Sequence, residues 1–294
     1  MSWDLGGLPA GDAEAVCFAC GASSVTFVDA DDSDRAPVLE PAPGEFRLWP
    51  SARIRALFTA DGGSGATVSA LSRALGLDPA LLQAREIADR AWEREWLRDF
   101  HAMRFGVRLW VCPHHERVAD AAAAVVRLDP GLAFGTGTHP TTALCLEWLD
   151  AHPPQGSEIV DFGCGSGVLA LAALRLGARS ASCFDIDSQA LIATHDNAGA
   201  NGLSERVRLH DRVEAIPRGA DLLLANILSG PLIELAPCFA DILRPSGTLV
   251  LSGLMEREIL EVTRAYEAWF DMRPFGARES WVCLEGRRNA RRRD

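Results

Sequence analysis

The stretch from Glu158 to Gly167 reads E-I-V-D-F-G-C-G-S-G, a short β-forming run (Ile159, Val160, Phe162) that stops at glycine. Behind it, Val168, Leu169, Leu171, Ala172, Leu174 and Leu176 recur at helical spacing up to Gly177. Strand, glycine turn and helix open a parallel α/β unit, and open α/β sheets take ligands at that carboxyl end. Gly163, Gly165 and Gly167 carry no Cβ, so a ligand can approach the backbone, and the helix behind offers free N–H groups. The spacing is G-x-G-x-G, not the G-x-G-x-x-G that seats a pyrophosphate. Asp185, about one βαβ unit downstream on a second strand read as Ser182 to Ile186, would accept from ribose hydroxyls. Together they point to a nucleoside cofactor. The alternative is a βα turn that binds no nucleoside.

Two more stretches could meet a ligand. Residues 129–142, D-P-G-L-A-F-G-T-G-T-H-P-T-T, are loop chemistry, and the helix Ala143 to Leu149 follows directly. Thr141 or Thr142 then sits at a helix start, as a first-turn donor to a carboxylate or as an ordinary cap. His139 in the same loop is a proton shuttle or a structural residue. Asn226-Ile227-Leu228-Ser229 lies between a strand (Ala220 to Ala225) and a helix (Gly230 to Leu243), where a polar Asn before apolar residues could face whatever the cofactor reacts with. No metal site is expected: Cys17-x-x-Cys20 is a lone pair read as helix packing, and His114 and His115 are adjacent and point apart. The chain has no lysine, which excludes a Schiff-base mechanism.

The elements that carry these residues fall into two groups. Residues 1–87 read β-α-β-β-α-β: a clipped strand Ser2 to Leu5, helix Asp12 to Ala22, strands Ser24 to Ala30 and Ser51 to Thr59, helix Ala66 to Leu75, and a last strand Leu82 to Ile87. That order is the ferredoxin-like pattern. An acidic loop (Asp29, Asp31, Asp32, Asp34) between the middle strands is a solvated surface or a face for a basic protein. Residues 88–104 are read as an interdomain linker, with Trp92, Trp96 and Phe100 on one face of a helix from Asp89 to Phe100. From residue 105 onward the α/β pattern runs to the end. Arg104 to Cys112 is extended; after Asp185 come helix Ser188 to Ala200, strand Val207 to His210, the turn Pro245 to Gly247, strand Thr248 to Ser252 and helix Glu256 to Ala268. A hairpin, Phe270 to Phe275 and Trp281 to Leu284, closes the sheet.

At 294 residues the chain has room for two domains with real cores. A net charge of −11 argues against a nucleic-acid binder and suits a basic protein partner. Eight cysteines at no framework spacing suit reduced thiols and a cytoplasmic location. No run of eighteen apolar residues and no basic-then-apolar leader is present, so neither a membrane span nor a signal peptide is expected. The Arg-rich tail from Arg287 to Arg293 is an RNA contact or a frayed end.

Over nearly its whole length the chain resembles the ribosomal protein L11 methyltransferase family. The blocks that carry the resemblance are E-R-E-W-L-R-D-F, R-F-G-V-R-L-W-V-C-P, D-P-G-L-A-F-G-T-G-T-H-P-T-T, D-F-G-C-G-S-G, D-I-D and A-N-I-L-S-G-P-L. The resemblance implies a seven-stranded, Rossmann-like class I methyltransferase domain (105–294) behind a ferredoxin-like α+β domain (1–87) that grips the substrate protein. It implies S-adenosylmethionine as cofactor, contacts to it at Thr142, Gly163, Gly165, Asp185 and Asn226, and methylation of lysine side-chain and N-terminal amines of a large-subunit ribosomal protein. A monomer is expected.

The residues also suggest how such a transfer runs. A lysine amine, with pKa about 10.4, must lose its proton before it can attack a sulfonium methyl, and an apolar site favours that loss. Asn226 is then the catalytic candidate, its side-chain carbonyl aiming the lone pair. Other classes fit less well. A nucleic-acid amino-methyltransferase would carry N-P-P and a stacking aromatic, whereas Ile-Leu-Ser follows Asn226. A methyltransferase acting on a small amine needs no residues 1–87. A non-catalytic cofactor-binding module differs only in lacking turnover.

Overall fold

The computed structural model describes residues 1–4, 9–30, 51–59, 64–87, 101–128, 135 and 137–289. The chain divides into two compact units, Met1–Arg90 and Ala91–Asp294. Most of the acidic loop, the whole aromatic linker helix and the end of the Arg-rich tail lie outside the described residues.

The first unit holds β1 (Ser2–Asp4), α1 (Ala10–Ala19), β2 (Ala22–Asp29), β3 (Ala52–Phe58) and α2 (Ser64–Leu75), with an antiparallel sheet in the order β1-β3-β2. In β3 the period-two pattern buries Ala52, Ile54 and Ala56 and turns Arg55 and Leu57 outward. Trp3, Cys17 and Leu71 complete that core, so Cys17 packs, and both it and Cys20 are free thiols. The expected last strand, Leu82 to Ile87, is not formed. It contracts to one bridge, Gln83 opposite Ser2. β1 offers three residues as a partner, and a longer fourth strand would leave its backbone groups unpaired. The β-α-β-β-α pattern stands, with a vestigial fourth strand.

The second unit opens with a hairpin, β4 (Met103–Phe105) and β5 (Leu109–Cys112), joined in parallel by β6 (Ala124–Arg127). The segment expected to run extended from Arg104 to Cys112 turns at Gly106, φ 70°. Buried Asp150 pins that turn: its carboxylate accepts from the N–H groups of Val107 (2.6 Å), Arg108 (3.0 Å) and Leu109 (3.0 Å). Asp150 belongs to α3 (Pro140–Ala151). Then follow β7 (Glu158–Phe162), α4 (Val168–Arg175), β8 (Ser180–Phe184), α5 (Ser188–Ala200), β9 (Val207–His210) and β10 (Ala220–Asn226). The chain continues through α6 (Ser229–Glu234), α7 (Ala236–Ile242), β11 (Leu243–Met255), α8 (Ile259–Tyr266), β12 (Phe270–Arg278) and β13 (Trp281–Arg288).

Seven strands form one sheet, β12-β13-β11-β10-β7-β8-β9, parallel from β11 to β9. β13 is antiparallel to both of its neighbours. Both faces are buried, which is why these strands read as continuous apolar runs. Ile159, Leu222, Leu224 and Val250 pack under α3, α4 and α5; Val160, Leu223, Ala225 and Leu251 pack under α6, α7 and α8. The helix expected from Gly230 to Leu243 is two helices broken at Leu235. Pro237 has no N–H to donate and cannot continue a helix begun upstream, but is tolerated in the first turn of a new one. The expected turn at Pro245 to Gly247 sits inside β11, with Ser246 at φ 60°.

Candidate active site

The glycine turn and Asp185 meet at the carboxyl ends of β7 and β8. The N–H groups of Gly163 (2.8 Å) and Cys164 (3.0 Å) both donate to the Phe184 carbonyl, and the Gly165 N–H donates to Asp185 Oδ2 at 2.9 Å. Asp185 lies one residue past the end of β8, not within it. Its other oxygen, Oδ1, accepts from the Asp187 N–H at 3.0 Å. A carboxylate has about four lone-pair sites, so this one keeps acceptor capacity for a diol. Beside it Ile186 is 92% exposed, a bare apolar side chain suited to a flat ring.

The turn holds itself together. Thr194 donates to the Gly165 carbonyl (3.0 Å) and Asn197 to the Ser166 carbonyl (2.9 Å), both from α5. Ser166 Oγ donates to the Gly135 carbonyl at 2.5 Å, tying the turn to the threonine loop. Of the helix amides expected to be free, Val168 donates to Ser166 Oγ at 3.3 Å and Ala170 to Asp161 Oδ2 at 3.0 Å, which disfavours a pyrophosphate. Gly163, Gly165 and Gly167 all have positive φ (77°, 53° and 78°), the region glycine enters without steric cost. A Cβ on Gly163 would stand 2.5 Å from Ile227 Cγ2, so the turn's surface is already as close as packing allows.

Asp161, two residues before Gly163, is buried in the sheet and accepts from the Ala170 N–H in the first turn of α4 at 3.0 Å. Burial pushes its carboxyl up to about 7; the Ala170 bond opposes that rise and the charge of Asp185 adds to it. Unfolded, Asp161 titrates near 3.8. Between those values the folded chain keeps a proton that the unfolded chain has released, so stability falls as pH rises through this window. Asp161→Asn keeps the acceptor and removes the charge. Urea unfolding at about pH 5 and about pH 8 should show the variant gaining on the wild type at the higher pH by on the order of 1 kcal/mol. An identical pH dependence in the two proteins would contradict this.

The acceptor side of the cleft forms at the end of β10. Asn226 Nδ2 donates to Thr142 Oγ1 at 3.1 Å, joining β10 to α3. Thr142 is in the first turn of α3, and the cap is His139, whose Nδ1 lies 2.8 Å from Thr141 Oγ1 and accepts from the Thr141 N–H at 3.4 Å. The helix begins at Pro140, ahead of the expected Ala143, so both threonines lie in its first turn and neither is its cap. The His139 ring also packs edge-on to Trp281, with centroids 5.1 Å apart. Ser252, at the end of the β10-paired stretch of β11, donates to the Thr141 carbonyl at 3.2 Å.

All five expected site residues thus gather at one sheet end: Gly163, Gly165 and Asp185 on one side, Thr142 and Asn226 on the other. Ile227 links the sides. Its Cγ2 covers Gly163, and its backbone oxygen would stand 2.2 Å from a Cβ on Gly253, at φ 87°. Sequence reasoning named Ile227 only as an apolar residue after Asn226 and gave no role to Ser166, Thr194 or Asn197; of these three only Ser166 carried a signal, its place inside the glycine turn. A separate cavity of about 630 Å³ opens at the amino ends of β7, β10 and β11, among Trp148, Asp221, Arg244, Arg273 and Glu285. Two of its arginines are paired locally, Arg244 with Asp221 and Arg273 with Glu285, and it lies at the opposite end of these strands from the glycine turn. Among the described residues no cluster of histidine, cysteine or carboxylate side chains could hold a metal.

A family model described as ribosomal protein L11 methyltransferase matches residues 10–289. Proteins of that name from Histophilus somni (strain 129Pt) and Pseudomonas aeruginosa (strain LESB58) are 47% and 48% identical, over 92% of this chain and 91% of each relative. One from Haemophilus influenzae (strain PittEE) is 48% identical over 91% of this chain and 90% of its own. Among solved structures, a ribosomal protein L11 methylase from Lactobacillus delbrueckii subsp. bulgaricus superposes with a TM-score of 0.60 at 29% identity. It covers 65% of this chain and all of its own.

Proposed function

This chain belongs to the ribosomal protein L11 methyltransferase family, and from that premise we infer that it methylates amines of ribosomal protein L11, on lysine side chains and at the N-terminus, using S-adenosylmethionine. The observation that carries the reading is the seating of Asn226 on Thr142 at the same sheet end as the glycine turn and Asp185. The residues present fit the cofactor: the turn is bare of Cβ atoms, Asp185 keeps acceptor sites for a ribose, and Ile186 offers an apolar surface for a base. Bound there, S-adenosylmethionine supplies a methyl group on a sulfonium, whose loss leaves a neutral sulfide and requires no acid.

The protein's task is positioning. Asn226 Nδ2 is committed to Thr142, so its Oδ1 is turned to accept from an incoming amine. An amide acceptor holds a neutral amine without favouring the ammonium as a carboxylate would. The apolar side chain of Leu228 beside Asn226 displaces water from the approach, which lowers the amine's pKa and leaves a free lone pair. Holding the amine in line accounts for the rate; a separate base is not required. Gly163, Gly165, Asp185 and Thr142 hold the cofactor, and Asn226 touches both reactants.

Calorimetry tests the cofactor. S-adenosylmethionine and S-adenosylhomocysteine should bind and NAD should not. Asp185→Ala should weaken binding by about 1.5–3 kcal/mol, the worth of charge-assisted hydrogen bonds. Tight NAD binding would sink the reading.

The domain assignment extends the same proposal. Residues 1–87 recognise the substrate protein, 88–104 link, and 105–294 carry the methyltransferase; the chain works as a monomer on protein rather than nucleic acid, in the cytoplasm. No helix among the described residues is long and apolar enough to cross a membrane. A fragment from about residue 100 contains every strand of the seven-stranded sheet and should fold and bind cofactor. It should lose methylation of L11; undiminished activity would refute the gripping role.

A further inference from the structure

Leu228 is a large apolar side chain left 62% exposed beside the acceptor residue Asn226. Its placement is enforced by its neighbours. Ile227 is partly buried against the core under α6, α7 and α8, wedged between Gly163, whose Cβ would meet its Cγ2 at 2.5 Å, and Gly253, whose Cβ would meet its carbonyl oxygen at 2.2 Å. The strand ends at Asn226 and the chain bends at Ile227, whose side chain is held inward, so Leu228 stands exposed two residues past the acceptor at the same sheet end. Leu228 is itself extended (φ −62°, ψ 152°) and caps α6, so it has little freedom to fold back onto the protein.

We propose that Leu228 is a specificity residue that packs against the methylene stem of the target lysine while Asn226 receives its amine, an inference that rests on the methyltransferase reading above. The dimensions agree. Two residues of chain span at most about 7 Å, and a four-methylene stem reaches about 6 Å. An amine held at Asn226 therefore brings its stem within reach of Leu228. Burying that stem removes two apolar surfaces from water together and steers an unbranched aliphatic amine toward the cleft. A polar side chain at 228 would keep water on the stem and weaken the acceptor without touching the cofactor, which meets the turn and Asp185 instead.

The test is kcat/KM for methylation of ribosomal protein L11 by the full-length protein, measured beside the Kd for S-adenosylhomocysteine. Leu228→Asn, close in size but polar, should lower kcat/KM by about tenfold, the scale of a hydrophobic subsite, chiefly through KM. Leu228→Met should stay within about threefold of wild type, since only an apolar surface is needed. Affinity for S-adenosylhomocysteine should hold in both. The proposal is overturned if Leu228→Asn keeps wild-type kcat/KM, if Leu228→Met is as impaired as Leu228→Asn, or if kcat/KM and cofactor affinity fall together. A wild-type protein that binds S-adenosylhomocysteine yet leaves L11 unmethylated would instead overturn the functional reading on which this one stands.

Discussion

Gly163→Ala should weaken S-adenosylmethionine binding by about 100-fold or more, equivalent to about 2.7 kcal/mol. Two costs combine. An L-residue held at φ 77° loses about 1–2 kcal/mol to its own backbone, and the added methyl lands 2.5 Å from Ile227 Cγ2. The turn can relieve both only by moving, and moving breaks the Gly165 bond that orients Asp185. The damage therefore reaches the cofactor site as well as overall stability. Calorimetry with S-adenosylhomocysteine reads it directly. Ile227→Ala, added to Gly163→Ala, should recover part of the loss because the clash is with a side chain. Affinity within threefold of wild type in the single variant would mean the turn does not form the cofactor surface.

Asn226 is the second sensitive position, and there the loss should fall on turnover. Asn226→Ala removes the acceptor but keeps the strand, so kcat should fall more than about tenfold, over about 1.4 kcal/mol of barrier, while cofactor affinity falls by less. Asn226→Asp separates charge from shape. A carboxylate at this place favours the ammonium, so the variant should be slow at neutral pH and recover partly as pH rises. Losing Asn226 also strands Thr142 Oγ1 in a buried place. Thr142→Val is the control, and should cost less than Asn226→Ala if the acceptor role dominates. Proportional loss of rate and cofactor affinity in both Asn226 variants would make Asn226 a cofactor ligand and leave the aiming of the amine to backbone carbonyls.

Much of this site was legible in the sequence because its logic is local. A glycine must occupy a positive-φ turn and a strand buried on both faces must read apolar; Val207–His210 and Ser188–Ala200 carried such clear patterns that their limits coincide with β9 and α5. Where the pattern depended on a partner elsewhere in the chain, it misled. The run from Leu82 to Ile87 stands where the strand that completes the pattern belongs, yet L-Q-A-R-E-I is poor in β-formers, and its partner β1 is three residues long. β6 went unrecognised because Ala124 to Arg127 is short and is held from outside, by Asn201 accepting from the Arg127 N–H (2.8 Å) and donating to its carbonyl (2.6 Å). The Gly230 to Leu243 run looked like one helix because its apolar spacing hides the break that Pro237 imposes. At the site, Asp161 and Asp185 look alike as letters, and burial is the chief cause that pushes the Asp161 carboxyl up to about 7, while Asp185 stands just past the end of β8 facing the cleft. The wedge of Ile227 between Gly163 and Gly253 joins positions 64 and 26 residues away, and no spacing rule anticipates it.

The central claim is that this chain moves a methyl group onto amines of ribosomal protein L11. The most direct measurement incubates the full-length protein with methyl-labelled S-adenosylmethionine and purified L11, then locates the label by peptide mass spectrometry. The account predicts label on lysine side chains or the N-terminal amine of L11, its rate of incorporation lowered more than about tenfold by Asn226→Ala and independent of added metal. A protein that binds S-adenosylhomocysteine but places no label on L11, or places it on oxygen or nucleic acid instead, would contradict it.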